Sequence, residues 1–215
     1  MNQYKMPFIK SGLFKSLIAA ILLLITGRGI SQGTDIIKLA FSDNSTFDIT
    51  TTLGDKRPAR FRVLDSSDVW DEDRFYLKYD LTSAAVLEGL EEDEHSPYHR
   101  YLFSDSLLNS HISDQEKINL FTLSKSTARK KLVGTFAAFT WIKSFTAVKS
   151  GFFFSMTEPL FSTDKTFAFL NITVYKKDKY TENLRDSNFG NIMLIYEKNK
   201  TGTWSRLRKV DRIFF

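Results

Sequence analysis

Thr166-Phe167-Ala168-Phe169-Leu170-Asn171-Ile172-Thr173-Val174-Tyr175-Lys176 is the stretch that decides the fold class. Ala168, Leu170, Ile172 and Val174 fall on one side of an extended chain, with Phe167, Phe169, Asn171, Thr173 and Tyr175 on the other. That period of two is what a strand imposes. The aliphatic side is the expected core face, so a charge at Leu170 should unfold the chain while one at Thr173 should be much milder. Phe167, Phe169 and Tyr175 make a second, aromatic face, which reads as core beneath a helix rather than as a platform for sugar or lipid.

Turn signals place the neighbouring strands. Thr163-Asp164-Lys165 turns the chain into this strand, and Glu158-Pro159 ends the run Phe152-Phe153-Phe154, because proline cannot donate to a ladder. Downstream, Ile192–Lys198 and Trp204–Ile213 flank Asn199-Lys200-Thr201-Gly202, a hairpin turn of ordinary composition. Consecutive strands joined by short turns pair with each other, which gives an antiparallel meander of about four strands.

Helix signals precede the sheet. Ser113 and Glu116 have the spacing of a capping box, and neither Gly nor Pro interrupts the chain from there to Val133. Ile112, Ile118, Phe121 and Leu132 are the expected apolar side. A shorter helix is expected over Ser83–Glu92, ending before Pro97. Thr135–Val148 fits two readings: Phe136, Phe139, Ile142 and Phe145 recur at helical spacing, while the Thr and aromatic content suits strands. The expected fold is α+β, with helices followed by the C-terminal meander, in a single domain over residues 32–215 that has no linker or internal repeat.

Residues 1–31 read as a cleaved signal peptide. Lys5, Lys10 and Lys15 form a basic start, Leu17 to Ile25 is uninterruptedly apolar and too short to span a bilayer, and Gly29 and Ser31 are small residues at the right places for a cut before Gln32. Export and the absence of an integral membrane segment after cleavage follow as expectations. Cleavage also removes Lys5, Lys10, Lys15 and Arg28 and no acid, so most of the formal +5 of the full chain disappears with the leader. Binding to nucleic acid is therefore not expected, since counterion release needs a real basic excess.

The charges that remain are unevenly distributed. Acids gather at Asp65, Asp68, Asp71, Glu72 and Asp73 and again at Glu88, Glu91, Glu92, Asp93 and Glu94, while bases gather toward the C-terminus. Arg206, Arg208 and Arg212 are separated by even numbers, so in an unbulged strand they leave one face. They are a candidate anion- or partner-binding face, with the acid clusters as the alternative compensators.

Chemistry-bearing motifs are few. The chain has no Cys, which excludes disulfides, thiolate metal sites and a Cys nucleophile. No nucleophile elbow, phosphate loop or dinucleotide fingerprint occurs. His95 and His99 have the spacing for one helix face, but Pro97 lies between them, and the acidic run Asp65 to Asp73 lacks the Gly and terminal Glu of an EF-hand. No catalytic residue, metal or cofactor is nominated.

Several of these segments carry a resemblance. Ser155 to Phe161, Ser162 to Ala168, and Leu194 to Lys198 with Gly202-Thr203-Trp204 resemble the C-terminal part of small, uncharacterised exported proteins of Bacteroidetes bacteria, and Ser110 to Lys131 resembles the segment before it. The chain departs from that pattern at Tyr180 to Gly190. The resemblance implies an exported α+β domain and lends no catalytic residue. The expected function is an exported envelope protein acting as a non-enzymatic binding or accessory module, whose partner is an envelope protein or an anionic glycan or lipid. The alternative is a small envelope hydrolase using the His95/His99 acidic loop.

Overall fold

A computed structural model describes residues 32–43, 45–47, 60–70, 75, 102–132 and 136–213. The expected leader, the helix expected over Ser83–Glu92, His95, His99 and the cluster Glu88 to Glu94 lie outside the described residues. The chain divides into two compact units, 1–35 and 36–215, and the architecture below is that of the second.

It is a mostly-sheet α+β fold. The strands are β1 (Phe61–Leu64), β2 (Phe139–Ile142), β3 (Gly151–Met156), β4 (Leu160–Phe161), β5 (Phe167–Lys177), β6 (Asn188–Lys198) and β7 (Trp204–Ile213). They form one mixed sheet in the order β2-β1-β3-β5-β6-β7, with β4 also on β5. The expectation of about four antiparallel strands following the helices covers only part of it: β3, β5, β6 and β7 pair antiparallel in turn, but among the described residues the sheet has seven strands, a helix at residues 32–42 and then β1 come before the helices at 106–125, and β1 runs parallel to both β2 and β3. A parallel pair needs a long crossover, which turn chemistry near β5 cannot reveal. The open stretch Thr135–Val148 resolves into β2 and a single 3-10 turn, Phe145–Ala147.

Residues 36–42 of helix α1 (residues 32–42) cover one face of the sheet. Its Ile36, Ile37, Ala40 and Phe41 join Phe61, Val63, Phe154, Leu170, Ile172, Val174, Ile192 and Leu194 in one core. Phe41 meets Phe61 and Phe139 edge-on at centroid distances of 5.1 and 4.5 Å, the geometry that aromatic quadrupoles favour. The other face carries α2 (Ser106–His111) and α3 (Asp114–Lys125), whose Leu108 and Leu120 pack with Phe167, Phe169, Met193 and Ile195. Burial on both faces is why Phe167 and Phe169 are core and not a ligand platform. Among the described residues, no helix is long and apolar enough to cross a membrane.

The helix ends show local chemistry at work. Ser113 caps α3 by accepting from the Glu116 N–H at 3.3 Å, as its spacing predicts, but the Glu116 carboxylate accepts the Thr163 N–H at 2.7 Å and so ties the helix to the turn before β5. The helix stops at Lys125, short of Val133, without Gly or Pro. Ser124, Ser126 and Thr127 each donate a hydroxyl hydrogen bond to a carbonyl three residues back, at 2.7 to 2.8 Å, which competes with the helical ladder. Ile118 is 52% exposed, against its expected place in the core, and Leu120 is buried instead.

Candidate functional site

On the α2/α3 face, a polar strip interrupts the apolar sheet. Cross-strand partners share a face, so the pairs Gly151↔Lys177, Phe153↔Tyr175 and Ser155↔Thr173 form successive rows along β3 and β5. The chain leaving β1 lays Asp68 over the last row, held by the Asp68 N–H donating to the Met156 carbonyl at 2.8 Å. Neighbouring Ser67 and Asp65 pin that segment to Lys130 and Leu132 through backbone bonds of 2.8 Å each.

Ser155 donates its hydroxyl to the Asp68 carboxylate, and Thr173 donates to the same oxygen at 3.4 Å. The Tyr175 hydroxyl lies 3.4 Å from that of Ser155. Burial pushes the Asp68 carboxyl above its ordinary range; the Ser155 hydrogen bond, the Arg129 charge and the Thr173 hydrogen bond oppose the shift without cancelling it. Burial and then the Asp68 charge push the Tyr175 phenol up as well. Ser155 is 0% exposed and already bonded, so its hydroxyl cannot meet a substrate. The strip holds three side chains around a carboxyl that retains its proton more readily than an exposed Asp.

Toward Gly151 the strip becomes basic. Arg62 donates to the Phe152 carbonyl at 2.6 Å, and Lys177 donates to the Phe145 carbonyl at 3.3 Å while sitting 3.8 Å from the Phe145 ring centre. On the opposite face, Lys176 lies 5.7 Å from the ring of Phe152 and 6.0 Å from that of Phe189. Phe189 reaches this position because the β5–β6 ladder slips between Val174 and Tyr175, leaving it as the extra residue of a bulge. Among the described residues no carboxylate pairs with Arg62, Lys176 or Lys177.

A second bulge overturns the arginine face. The β6–β7 ladder pairs Ile195 with Arg208 but Tyr196 with Arg206, so Leu207 is the extra residue. Ile195 belongs to the core under α2 and α3 and Tyr196 to the core under α1, so Arg206 and Arg208 leave opposite faces. Even spacing fails because one inserted residue reverses the alternation. Arg206 lies 2.9 Å from Asp43 and donates to the Ser45 hydroxyl at 2.6 Å, and Arg208 lies 2.6 Å from Asp105, the N-cap of α2. Arg212 pairs with Asn191 in the ladder. The compensators of Arg206 and Arg208 are thus isolated acids rather than members of either acidic cluster. Asp43 keeps its carboxyl below the usual range although burial opposes this, through Ser45 and the charges of Arg206 and Lys209.

Asp68, in contrast, does come from the Asp65 to Asp73 run, as a hydrogen-bond acceptor within the strip. Among the described residues no three His, Cys, Asp or Glu side chains gather as a metal site. His111 brings Nδ1 to 2.8 Å from the Leu107 carbonyl of its own helix. Sequence reasoning passed over Arg62, Lys177 and Gly151; the signal available was the Gly that opens β3, but its neighbours across the sheet lie far away in the chain. Comparison of the chain with protein-family models, curated proteins and solved structures finds no match.

Proposed function

We propose that the chain is an exported envelope protein that acts as a non-enzymatic binding or accessory module, and that its partner is an anionic glycan. The observation that carries this reading is the set of cations at the Gly151 end of the sheet. Among the described residues Arg62, Lys176 and Lys177 rest on rings and backbone carbonyls and form no ion pair, the Lys176 charge acting on Asp178 without one, so charge is left for an external anion. The half-buried Phe152 and Phe189 beside Lys176 add apolar ring surface of the kind sugars stack on. Full burial of Ser155 favours binding over nucleophilic chemistry at the strip.

The test is retention on a sulfated or uronate-bearing polysaccharide matrix at low salt. Lys176→Gln with Lys177→Gln is expected to lose retention with an unchanged melting temperature. Arg206→Gln should keep retention while lowering stability by about 1 kcal/mol, because a partly exposed ion pair to Asp43 and a bond to Ser45 are lost. Equal retention of all variants overturns the reading. Export makes its own prediction: the intact mass of the protein from its native host begins near Gln32, and a mature species that keeps Leu17 to Ile25 contradicts it.

A further inference from the structure

We infer that Arg62, Gly151 and Lys177 form a binding site for a phosphate monoester dianion. This inference rests on the proposed anion-binding reading and names the chemical group that its α2/α3-side cations take.

Gly151 is the centre of the argument. Its φ of +83° is one that a side chain rarely adopts, and a Cβ there would lie 2.9 Å from Nη2 of Arg62. A side chain at 151 would displace the guanidinium from its place beside β3. The guanidinium is also anchored there, since Nη2 donates to the Phe152 carbonyl at 2.6 Å and leaves its remaining N–H groups unused by any described residue. Across β3, Lys177 stands opposite Gly151 in the ladder, with β1 and β5 separated by roughly 10 Å as second neighbours in a sheet. The side-chain-free position at Gly151 therefore lies between the two strands that carry the cations, with the Arg62 guanidinium reaching over it.

Charge selects the ligand. Arg62 and Lys177 are both half-buried, and a half-buried cation without a counter-ion is costly. The nearest acid in sequence, Asp178, is turned into its own loop, where it accepts the Thr181 hydroxyl at 2.7 Å and the Tyr180 N–H at 2.8 Å. Two cations flanking Gly151 on one face of the sheet match a phosphate monoester, which carries close to two negative charges at neutral pH, better than a monoanionic carboxylate. The planar guanidinium offers paired donors to two of its oxygens and the ammonium reaches a third from the other side.

Thermal unfolding in inorganic phosphate, against chloride of equal ionic strength, tests the site. With a dissociation constant near 1 mM, 10 mM phosphate is expected to raise the melting temperature by about 3 °C. Lys177→Gln and Arg62→Gln should abolish the rise, Arg62→Lys should reduce it through loss of the fork, and Lys176→Gln should retain it. If Arg62→Gln does not fold, Lys177→Gln and Arg62→Lys carry the test. A rise no larger than in chloride, or one that survives Lys177→Gln, overturns the inference. If the rise is missing while polysaccharide retention persists, this site falls and the broader reading stands. Sources of the group separate in a second arm: a hexose phosphate that reproduces the rise indicates a soluble or glycan phosphate, and sedimentation with phosphatidic acid vesicles but not neutral ones indicates a lipid headgroup. Neither binding overturns the inference.

Discussion

Leu170→Asp is expected to unfold the domain, and Thr173→Asp to be nearly as damaging by a different route. Leu170 is 0% exposed in the core that α1 covers, where it pairs with Leu194 across the ladder. A carboxylate there has no donor and no route to water, a cost of more than about 4 kcal/mol. From the alternation alone Thr173 belongs to a tolerant face. The structure removes that tolerance: Thr173 is 7% exposed and its hydroxyl donates to Asp68 at 3.4 Å. An Asp at 173 deletes a donor and sets a second carboxylate beside a buried one, for which about 3 kcal/mol at neutral pH is expected. The two variants separate on acidification. Thr173→Asp should recover much of its loss near pH 4, where the facing carboxyls share protons, and Leu170→Asp should recover much less. Melting temperatures of both variants at pH 7 and pH 4 decide the matter, and a mild Thr173→Asp at pH 7 contradicts the packing described for the strip.

The contrast between these two residues shows what was legible in the sequence. The alternation of β5 was correct: Ala168, Leu170, Ile172 and Val174 share one core, and Phe167 and Phe169 lie in the other. The hairpin was legible too, because Asn199 and Gly202 are turn residues for local reasons. Asn199 accepts the Thr201 and Thr203 N–H groups at 3.0 and 2.8 Å, and Gly202 has a φ of +84°. What local pattern does not carry is what lies above a strand or beside it. β1 and β2 are four residues each, and their parallel pairing joins Phe61 to Phe139 across most of the helical region. Asp68 enters the strip from the start of that crossover, 105 residues before Thr173. The bulge at Leu207 falls within a run of ordinary strand composition, where nothing marks the point at which the alternation reverses, and the bulge at Phe189 is marked only by the adjacent Gly190. The expected arginine face therefore failed on a single residue, while the cations without an ion pair among the described residues sit where three distant segments meet.

Asp68 carries the prediction with the clearest sign. Its carboxyl lies above the ordinary value of 3.8 in the folded chain, chiefly because it is buried. Between that ordinary value and the raised one, the folded state holds a proton that the unfolded state has released, so stability falls as pH rises through this window and is regained on acidification. Asp43 and Asp164 act in the opposite sense, since both are held below 3.8 in the folded chain despite some burial, and their contribution is lost as pH drops below the ordinary value. The melting temperature should accordingly rise as pH falls from neutral toward the ordinary carboxyl value and decline again below it. Asp68→Asn replaces the ionisable group with an amide whose oxygen still accepts from Ser155 and Thr173. That variant should be at least as stable as the parent at pH 7, by up to about 1 kcal/mol, because the desolvated charge is gone. The rise on acidification above the ordinary carboxyl value should shrink in the variant while the decline below it remains, since Asp43 and Asp164 are untouched. Asp68→Leu, which leaves the Ser155 and Thr173 hydroxyls without an acceptor, should instead lose about 2 kcal/mol at every pH. An Asp68→Asn variant that keeps the parent's full slope on acidification from neutral pH to the ordinary carboxyl value would place the responsible proton elsewhere than on the buried carboxyl.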